Sequence, residues 1–510
     1  MLTRLAALAA GAATVFAFAP FGFSPVSVAA LATLFWLWQH AATPRDGAWI
    51  GFAFGFGLFG AGVSWVYVAL ETFGGMAAPV AAIGTAGFVG YLALWHALAG
   101  WAAVRFTAAH STARLLAAAA AWTLGEWLRG YVFSGFGWLT PGYAELWPGG
   151  ALPLAGFAPL GGVLLVSLAV ALCAAAVAGI VDGLVHAQPR RIVGCLAGIA
   201  LLVGVGGLLT RIEWTTPVGG PVAISLVQGN VTQAQKFDPA FRPQNYELYD
   251  NLVASAKGRI VVLPESAFPE FADEIPASVF IGLANAGRAR NGSVLVGLFT
   301  VEPPLAPGEE ERIYNSVVSL GAAPPQLYRK HHLVPFGETI PLKPLVGWFI
   351  NSILAIPLGD QAAGPAVQSP FEVAGQRIAV NICYEDVFGA ELIPAARVAT
   401  LLVNVTNDAW YGRSIGALQH NQVGAMRALE TGRPMLRATN TGITSAIAHD
   451  GRVLAELPWF VRGILEIEIA GRTGYTPYLR FGDWPVLILS LALFAVAVLL
   501  NRRGVIGGNR

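Results

Sequence analysis

Long apolar runs crowd the N-terminal part of the chain, and they constrain its fold more than any other feature. A helix crossing the hydrocarbon of a bilayer needs roughly 20 mostly apolar residues. Runs at 5–19, 26–40, 48–70, 79–104, 115–128, 154–185 and 192–209 meet or approach that length, and an eighth lies at 484–500. Composition agrees: hydrophobic residues are 55% of the 510 and charged residues only 12%, about half the charged share of an ordinary globular domain. The first run, with Arg4 ahead of an alanine-rich stretch, also has the pattern of a secretory signal peptide. No polar mature start follows, because residues 20–25 lead directly into the second run, so two short helices joined by a tight turn are expected instead.

Orientation follows from the arginines, because cytoplasmic loops concentrate basic residues. Threading eight crossings puts Arg4, Arg45, Arg105, Arg114, Arg190, Arg191, Arg502, Arg503 and Arg510 on one side, against Glu71, Arg129 and Glu145 opposite. Both termini are thus expected in the cytoplasm. The expected organisation is a membrane domain of seven transmembrane helices at 1–210, an extracytoplasmic domain at 211–480, an eighth helix at 484–500 and a cytoplasmic tail at 501–510. A net charge of +1 provides no global field for a polyanion, which argues against nucleic-acid binding.

The polar region is built from short β-rich runs punctuated by Gly, Pro and Asn, with candidate strands at 222–227, 260–263, 294–299, 378–382, 401–405 and 444–448. Helical patterns lie between them, notably 419–432, so an α/β domain is expected. The chain has three cysteines, of which Cys173 and Cys195 lie in apolar runs, so a disulfide framework is excluded. Cys383 is alone in the polar region, either as a buried small hydrophobe or as a reactive thiol.

Three polar residues stand after strand-like runs or in the loops beside them, where α/β sheets build their sites: Glu265, Lys330 and Cys383. Together they suit acyl transfer through a thioester. A carboxylate takes the thiol proton, the thiolate attacks, and an ammonium stabilises thiolate and tetrahedral oxyanion. Spacing does not single them out, since any large domain holds a Glu, a Lys and a Cys. The chain otherwise uses arginine for nearly all its positive charge, which sets Lys330 apart.

The surrounding residues carry more. Leu-Pro-Glu-Ser-Ala-Phe-Pro-Glu at 263–270, Tyr-Arg-Lys-His-His-Leu-Val-Pro-Phe-Gly-Glu at 328–338 and Asn-Ile-Cys-Tyr-Glu-Asp at 381–386 resemble the three catalytic segments of the apolipoprotein N-acyltransferase family. Val-Gln-Gly-Asn-Val-Thr-Gln from Val227, Asn-Asp-Ala-Trp-Tyr-Gly at 407–412 and the stretch 419–442 are similar to that family in the same order, as are Glu-Trp-Leu-Arg-Gly and Gly-Phe-Gly-Trp-Leu within 126–139. The Glu, Lys and Cys segments alone are shared with the broader nitrilase superfamily; the long run at 330–338 and the membrane helices point to this branch.

The resemblance implies a nitrilase-like αββα sandwich beside a polytopic helical domain, in a bacterial inner membrane with the catalytic domain on the periplasmic face. It implies that Cys383 takes the sn-1 acyl chain of a membrane phospholipid as a thioester and passes it to the N-terminal amine of a diacylglyceryl-cysteine apolipoprotein. Glu265 would be the general base, with burial the expectation that accompanies that role, and Lys330 the oxyanion stabiliser. Glu338, Tyr384 and Glu385 would support them, with no cofactor and no metal.

Other residues have structural readings beside functional ones. Glu338 and Glu385 also suit ion pairs or loop caps, and Trp410 and Tyr411 either line an acyl pocket or pack on their own domain. His420 has no second His or Cys at ligand spacing. Glu126 is expected to pair with Arg129, three residues on, and Asp182 to be reached by water.

A membrane anchor has a physical reason, because drawing an acyl chain into water costs about 0.8 kcal/mol per methylene. The aromatic-rich loops at 131–153 and 345–356 are candidate walls or lids for a lipid groove. Two other functions compete. A membrane-anchored amidase would resolve the same thioester with water, but has no need of seven preceding helices. A transporter or scaffold would show paired, broken helices with mid-membrane charges, which are not seen.

Overall fold

The computed structural model describes residues 1–147, 149–304, 311–340 and 360–507. It divides into two compact units: 1–67, 79–213 and 476–510 form the first, and 68–78 with 214–475 the second. The candidate groove wall or lid at 345–356 lies outside the described residues.

The first unit is helical, with α1 (Leu2–Ala13), α2 (Pro25–Gln39), α3 (Pro44–Gly62), α4 (Ala78–Phe106), α5 (Thr112–Tyr131), α6 (Ala158–Val185), α7 (Pro189–Leu209) and α12 (Trp484–Gly507). Among the described residues, four helical segments are long and apolar enough to cross a bilayer, covering α4, α6, α7 and α12. The expected single span at 48–70 is instead broken. α3 ends at Gly62 and Trp65–Phe73 continues at 56° to it, so the two count as a fifth span only if taken together. Glycine at 60 and 62 and a non-helical Val63 (φ −125°, ψ 27°) break the helix there. Small residues let the helices close up: a Cβ on Gly57 would lie 2.1 Å from the Leu8 carbonyl and one on Gly51 2.2 Å from that of His96.

Glu126 and Arg129 pair at 2.6 Å, both buried, and Arg129 also donates to Thr140 Oγ1 at 3.0 Å and to the Phe136 carbonyl. Asp182 is not reached by water as expected. Arg191 from α7 pairs with it, His110 and His186 approach it, and its side chain is 1% exposed.

Among the described residues, the second unit holds two six-stranded sheets. In chain order the strands are β1 (Thr215–Gln228), β2 (Ile260–Val262), β3 (Ser293–Glu302), β4 (Arg312–Gly321), β5 (Gln326–Arg329), β6 (Phe371–Val373), β7 (Gln376–Ile382), β8 (Leu401–Thr406), β9 (Met435–Thr439), β10 (Ser445–Ile447), β11 (Val453–Glu456) and β12 (Gly463–Gly474). The first sheet runs β12-β1-β2-β3-β4-β5 and the second β11-β10-β9-β8-β7-β6. At the centre of each, β1-β2-β3 and β7-β8-β9 are parallel. Parallel strands covered on both faces need continuous apolar sequence, which is why these strands are the ones the sequence marks.

Helices α8 (Arg242–Ser255) and α9 (Ala277–Ala289) cover the first sheet, with Tyr249, Val253 and Leu283 packed on Val261, Val294 and Val296. Helices α10 (Gly389–Ala396) and α11 (Gly416–Thr431) belong to the second sheet's side. The sheets are tied across by Asn230 N donating to the Asn440 carbonyl at 2.9 Å and Thr215 Oγ1 to that of Gly432 at 2.8 Å. The result is the αββα arrangement of the nitrilase class.

Candidate active site

Each of the three sequence-marked residues follows a strand. β2 leads through Leu263 and Pro264 to Glu265, β5 ends immediately before Lys330, and β7 immediately before Cys383. The two turns that carry the carboxylate and the thiol are strained: Ser266 has φ 45° and Cys383 φ 51°, a left-handed conformation that non-glycine residues hold only when their surroundings impose it. The bend at Cys383 lifts the thiol off the end of the sheet and begins a 3₁₀ turn, Cys383–Val387. Behind Glu265, a Cβ on Gly297 would lie 2.4 Å from the Pro264 carbonyl and 2.9 Å from the Glu265 Cα, so only glycine fits there.

All three side chains are buried, with Glu265 5%, Lys330 1% and Cys383 7% exposed. Glu265 is held at both oxygens: Asn315 Nδ2 donates to Oε1 at 2.7 Å and the Asn407 backbone N–H to Oε2 at 2.8 Å. Lys330 Nζ lies 3.8 Å from Glu265 Oε1 and donates to Glu338 Oε1 at 2.7 Å. Burial alone would lower the Lys330 pKa, but Glu338, Glu265 and Cys383 outweigh it and keep the ammonium charged well beyond the ordinary range. Burial, with the adjacent Glu265 carboxylate, pushes the Cys383 thiol well above its ordinary value; Lys330 opposes this without reversing it. At rest the Cys383 side chain is therefore a neutral thiol within electrostatic reach of the Glu265 carboxylate.

Glu385 braces the turns. Its carboxylate accepts from the N–H groups of Ile382 (2.6 Å), His331 (2.7 Å) and His332 (3.2 Å) and from the Tyr328 hydroxyl (2.9 Å), fastening the Lys330 loop to the Cys383 turn. Glu338 closes its own loop by accepting from Val334 N at 2.9 Å. Tyr384 packs edge-on against Phe388 with ring centroids 5.0 Å apart. Trp410 and Tyr411 are half-buried; Trp410 meets Phe73 edge-on at 5.9 Å, and Tyr411 comes within electrostatic reach of Cys383.

Several groups at the site carry no signal in single-segment reasoning. Asn315, Asn407 and Lys236 reach Glu265 from three separate segments. His420 is fully buried, bridging Asp386 at 2.9 Å and Asp408 at 2.7 Å, with Arg437 on the far oxygen of Asp386. The signal that could have found it is charge: Arg437 lies inside the run Met-Leu-Arg-Ala at 435–438, where an ionised group needs a partner.

The carbon-nitrogen hydrolase family model matches residues 224–478, and the apolipoprotein N-acyltransferase N-terminal domain model matches 10–176. Among solved structures, a carbon-nitrogen hydrolase from Helicobacter pylori G27 is 14% identical with a TM-score of 0.36, covering 52% of this chain and 94% of that one. By the family model that matches it, the second unit is of the carbon-nitrogen hydrolase class. An apolipoprotein N-acyltransferase of Nitrosomonas europaea is 45% identical over 99% of this chain and 98% of its own length, and that of Chromobacterium violaceum 41% identical over 99% and 95%. The chain belongs to the apolipoprotein N-acyltransferase family. It is by that membership an acyltransferase of lipoprotein maturation, built on apolar helices and a catalytic α/β unit.

Proposed function

We propose that the chain moves the sn-1 acyl group of a phospholipid to the N-terminal amine of a diacylglyceryl-cysteine apolipoprotein in two steps. The observation that carries this reading is the convergence of a buried carboxylate, ammonium and thiol from three strand ends. In the first step Glu265 takes the Sγ proton as sulfur attacks the ester carbonyl, and Lys330 offsets the negative charge on the tetrahedral oxygen. The carbon–oxygen bond then breaks, Glu265 returns the proton to the departing glycerol oxygen, and lysophospholipid leaves a Cys383 thioester. In the second step the acceptor nitrogen attacks the thioester, Glu265 takes its proton, and the carbon–sulfur bond breaks to release an amide and restore the thiol. Glu338 and Glu385 hold Lys330 and the Cys383 turn in place, Tyr384 supports the same turn, and Trp410 and Tyr411 face the acyl group.

The same reading has eight crossings, adding α1, α2 and α5 to the four long helices and the bent pair, with both termini in the cytoplasm and the catalytic unit outside it, on the periplasmic face of an inner membrane. It is supported by the arginines at 4, 45, 105, 114, 190 and 191 alternating with sparse loops.

Intact mass spectrometry of the purified protein in phospholipid micelles, without acceptor, tests the first step. An acyl adduct on Cys383, absent from Cys383→Ser and transferred to an added diacylglyceryl-cysteine peptide, is expected. Free fatty acid without transfer would make the enzyme a hydrolase, and no adduct on folded protein would remove Cys383 as nucleophile.

A further inference from the structure

The active site contains a second buried ammonium. Lys236 ends a one-turn helix, Gln233–Lys236, capped by Thr232 Oγ1, which accepts from Gln235 N at 3.3 Å. Its side chain is 6% exposed, and Nζ donates to the backbone carbonyl of Glu265 at 2.9 Å. Among the described residues its hydrogen bond is to that neutral carbonyl, so no contact ion pair neutralises it. The acidic groups acting on it are Glu265, from the turn after β2, and Cys383, from the turn after β7.

The segment bearing Lys236 is cross-braced to the other side of Glu265. Asn407 donates its backbone N–H to the Glu265 carboxylate and its side-chain amide to Gln233 Oε1 at 2.8 Å. Asn440 bridges to Asn407 Oδ1 at 3.0 Å and to the Val231 carbonyl at 2.7 Å. Glu265 is therefore gripped twice from one rigid cluster, at the carboxylate by Asn407 and at the main chain by Lys236. The grip falls next to Ser266, whose left-handed conformation has to be held by its surroundings.

We propose that Lys236 is a positioning residue for acyl transfer: its charged ammonium fixes the Glu265 turn and supplies a second positive charge to the carboxylate–thiol pair as negative charge passes between them. The proposal rests on the two-step reading above. Burial lowers the Lys236 pKa to about 8, against the pull of Glu265 and Cys383, so the charge is lost within an accessible pH range.

The test is the rate of Cys383 acylation by phospholipid, read by intact mass spectrometry from pH 6.5 to 9.5. In the unaltered protein the rate is expected to fall as pH rises through about 8. That direction is opposite to the one thiolate formation gives, and Lys236→Met separates it from loss of the His420 bridge to Asp386 at higher pH. Folded Lys236→Met is expected to acylate roughly 100-fold more slowly and without that fall, whereas Lys236→Arg, charged throughout, recovers part of the rate and also lacks the fall. Folded Lys236→Met acylating at the unaltered rate with the same pH profile would overturn the proposal. If that variant does not fold, the unaltered protein decides, a profile flat or rising from pH 7 to 9.5 overturning it. Absence of any adduct on unaltered Cys383 would instead defeat the underlying two-step reading.

Discussion

Glu338 is where a single side chain has the most to decide, because it makes the contact ion pair of Lys330. Lys330 is buried, and a buried ammonium without its partner is an uncompensated charge. Its remaining anion, Glu265, stands 3.8 Å away and is already held by Asn315 and Asn407. Glu338→Gln would keep a hydrogen-bonding oxygen but remove the charge, so Lys330 would be drawn toward Glu265 and away from the position of the oxyanion. The expected outcome is Cys383 acylation slower by roughly 100-fold and a stability loss of roughly 3 kcal/mol, read by adduct formation and thermal melting in detergent. A variant melting as before and acylating at full rate would reduce Glu338 to a loop brace through Val334. The sequence offers Glu338 either role, and the structure shows both contacts on one carboxylate, Oε1 to Lys330 and Oε2 to Val334.

At the level of elements, α11 is pinned to the Cys383 turn by His420 between Asp386 and Asp408. The carboxylates outweigh burial and raise the His420 pKa from 6.5 to about 9. A raised folded-state value means that the stabilisation is fully present below about pH 6.5 and is lost as pH climbs through about 9. The amount at stake is roughly 3 kcal/mol; the lowered pKa of Asp386 is the same interaction seen from its partner and is not added. Lys236 works with the opposite sign, because its depressed value makes its burial a cost that is relieved as pH rises past 8. The comparison that isolates His420 is therefore the melting temperature of the unaltered protein against His420→Gln, with the gap widest near pH 6 and closing by pH 10. A gap that does not change with pH would show His420 to be neutral. Legibility divides along the same lines. The turns after β2 and β7 can be read because buried parallel strands must be apolar, and the runs 260–263 and 378–382 announce them. The contacts of Lys236, Asn315 and Asn407 with Glu265 and of His420 with Asp386 span 29 to 142 residues, and no local pattern encodes which distant carboxylate a buried polar group will meet.

For the whole molecule, sequence and structure agree on two kinds of unit but differ in how the chain is parcelled between them. Residues 68–78 group with the catalytic unit, although the run 48–70 reads as one span; hydropathy counts apolar residues and does not register a 56° bend between Gly62 and Trp65. Likewise β1 begins at Thr215 rather than 222, because its first half is polar and glycine-rich and is a strand only through pairing with β12, as at Thr215 with Gly474. Orientation is the property that ties these units to a lipid substrate, and it is open to direct measurement. In a Cys383→Ser background the remaining cysteines lie in α6 and α7, so a cysteine placed on the surface reports its side of the membrane. Asp450, in the turn between β10 and β11, has a side chain 47% exposed, and His186, between α6 and α7, one 44% exposed. With a membrane-impermeant maleimide, Asp450→Cys is expected to label in cells whose outer envelope alone has been opened, and His186→Cys only after lysis. Labelling in the reverse order would put the catalytic unit in the cytoplasm. The acceptor's amine would then have to be acylated before export, and the arginine count would have misled, Arg191 being held by Asp182 rather than by a membrane side.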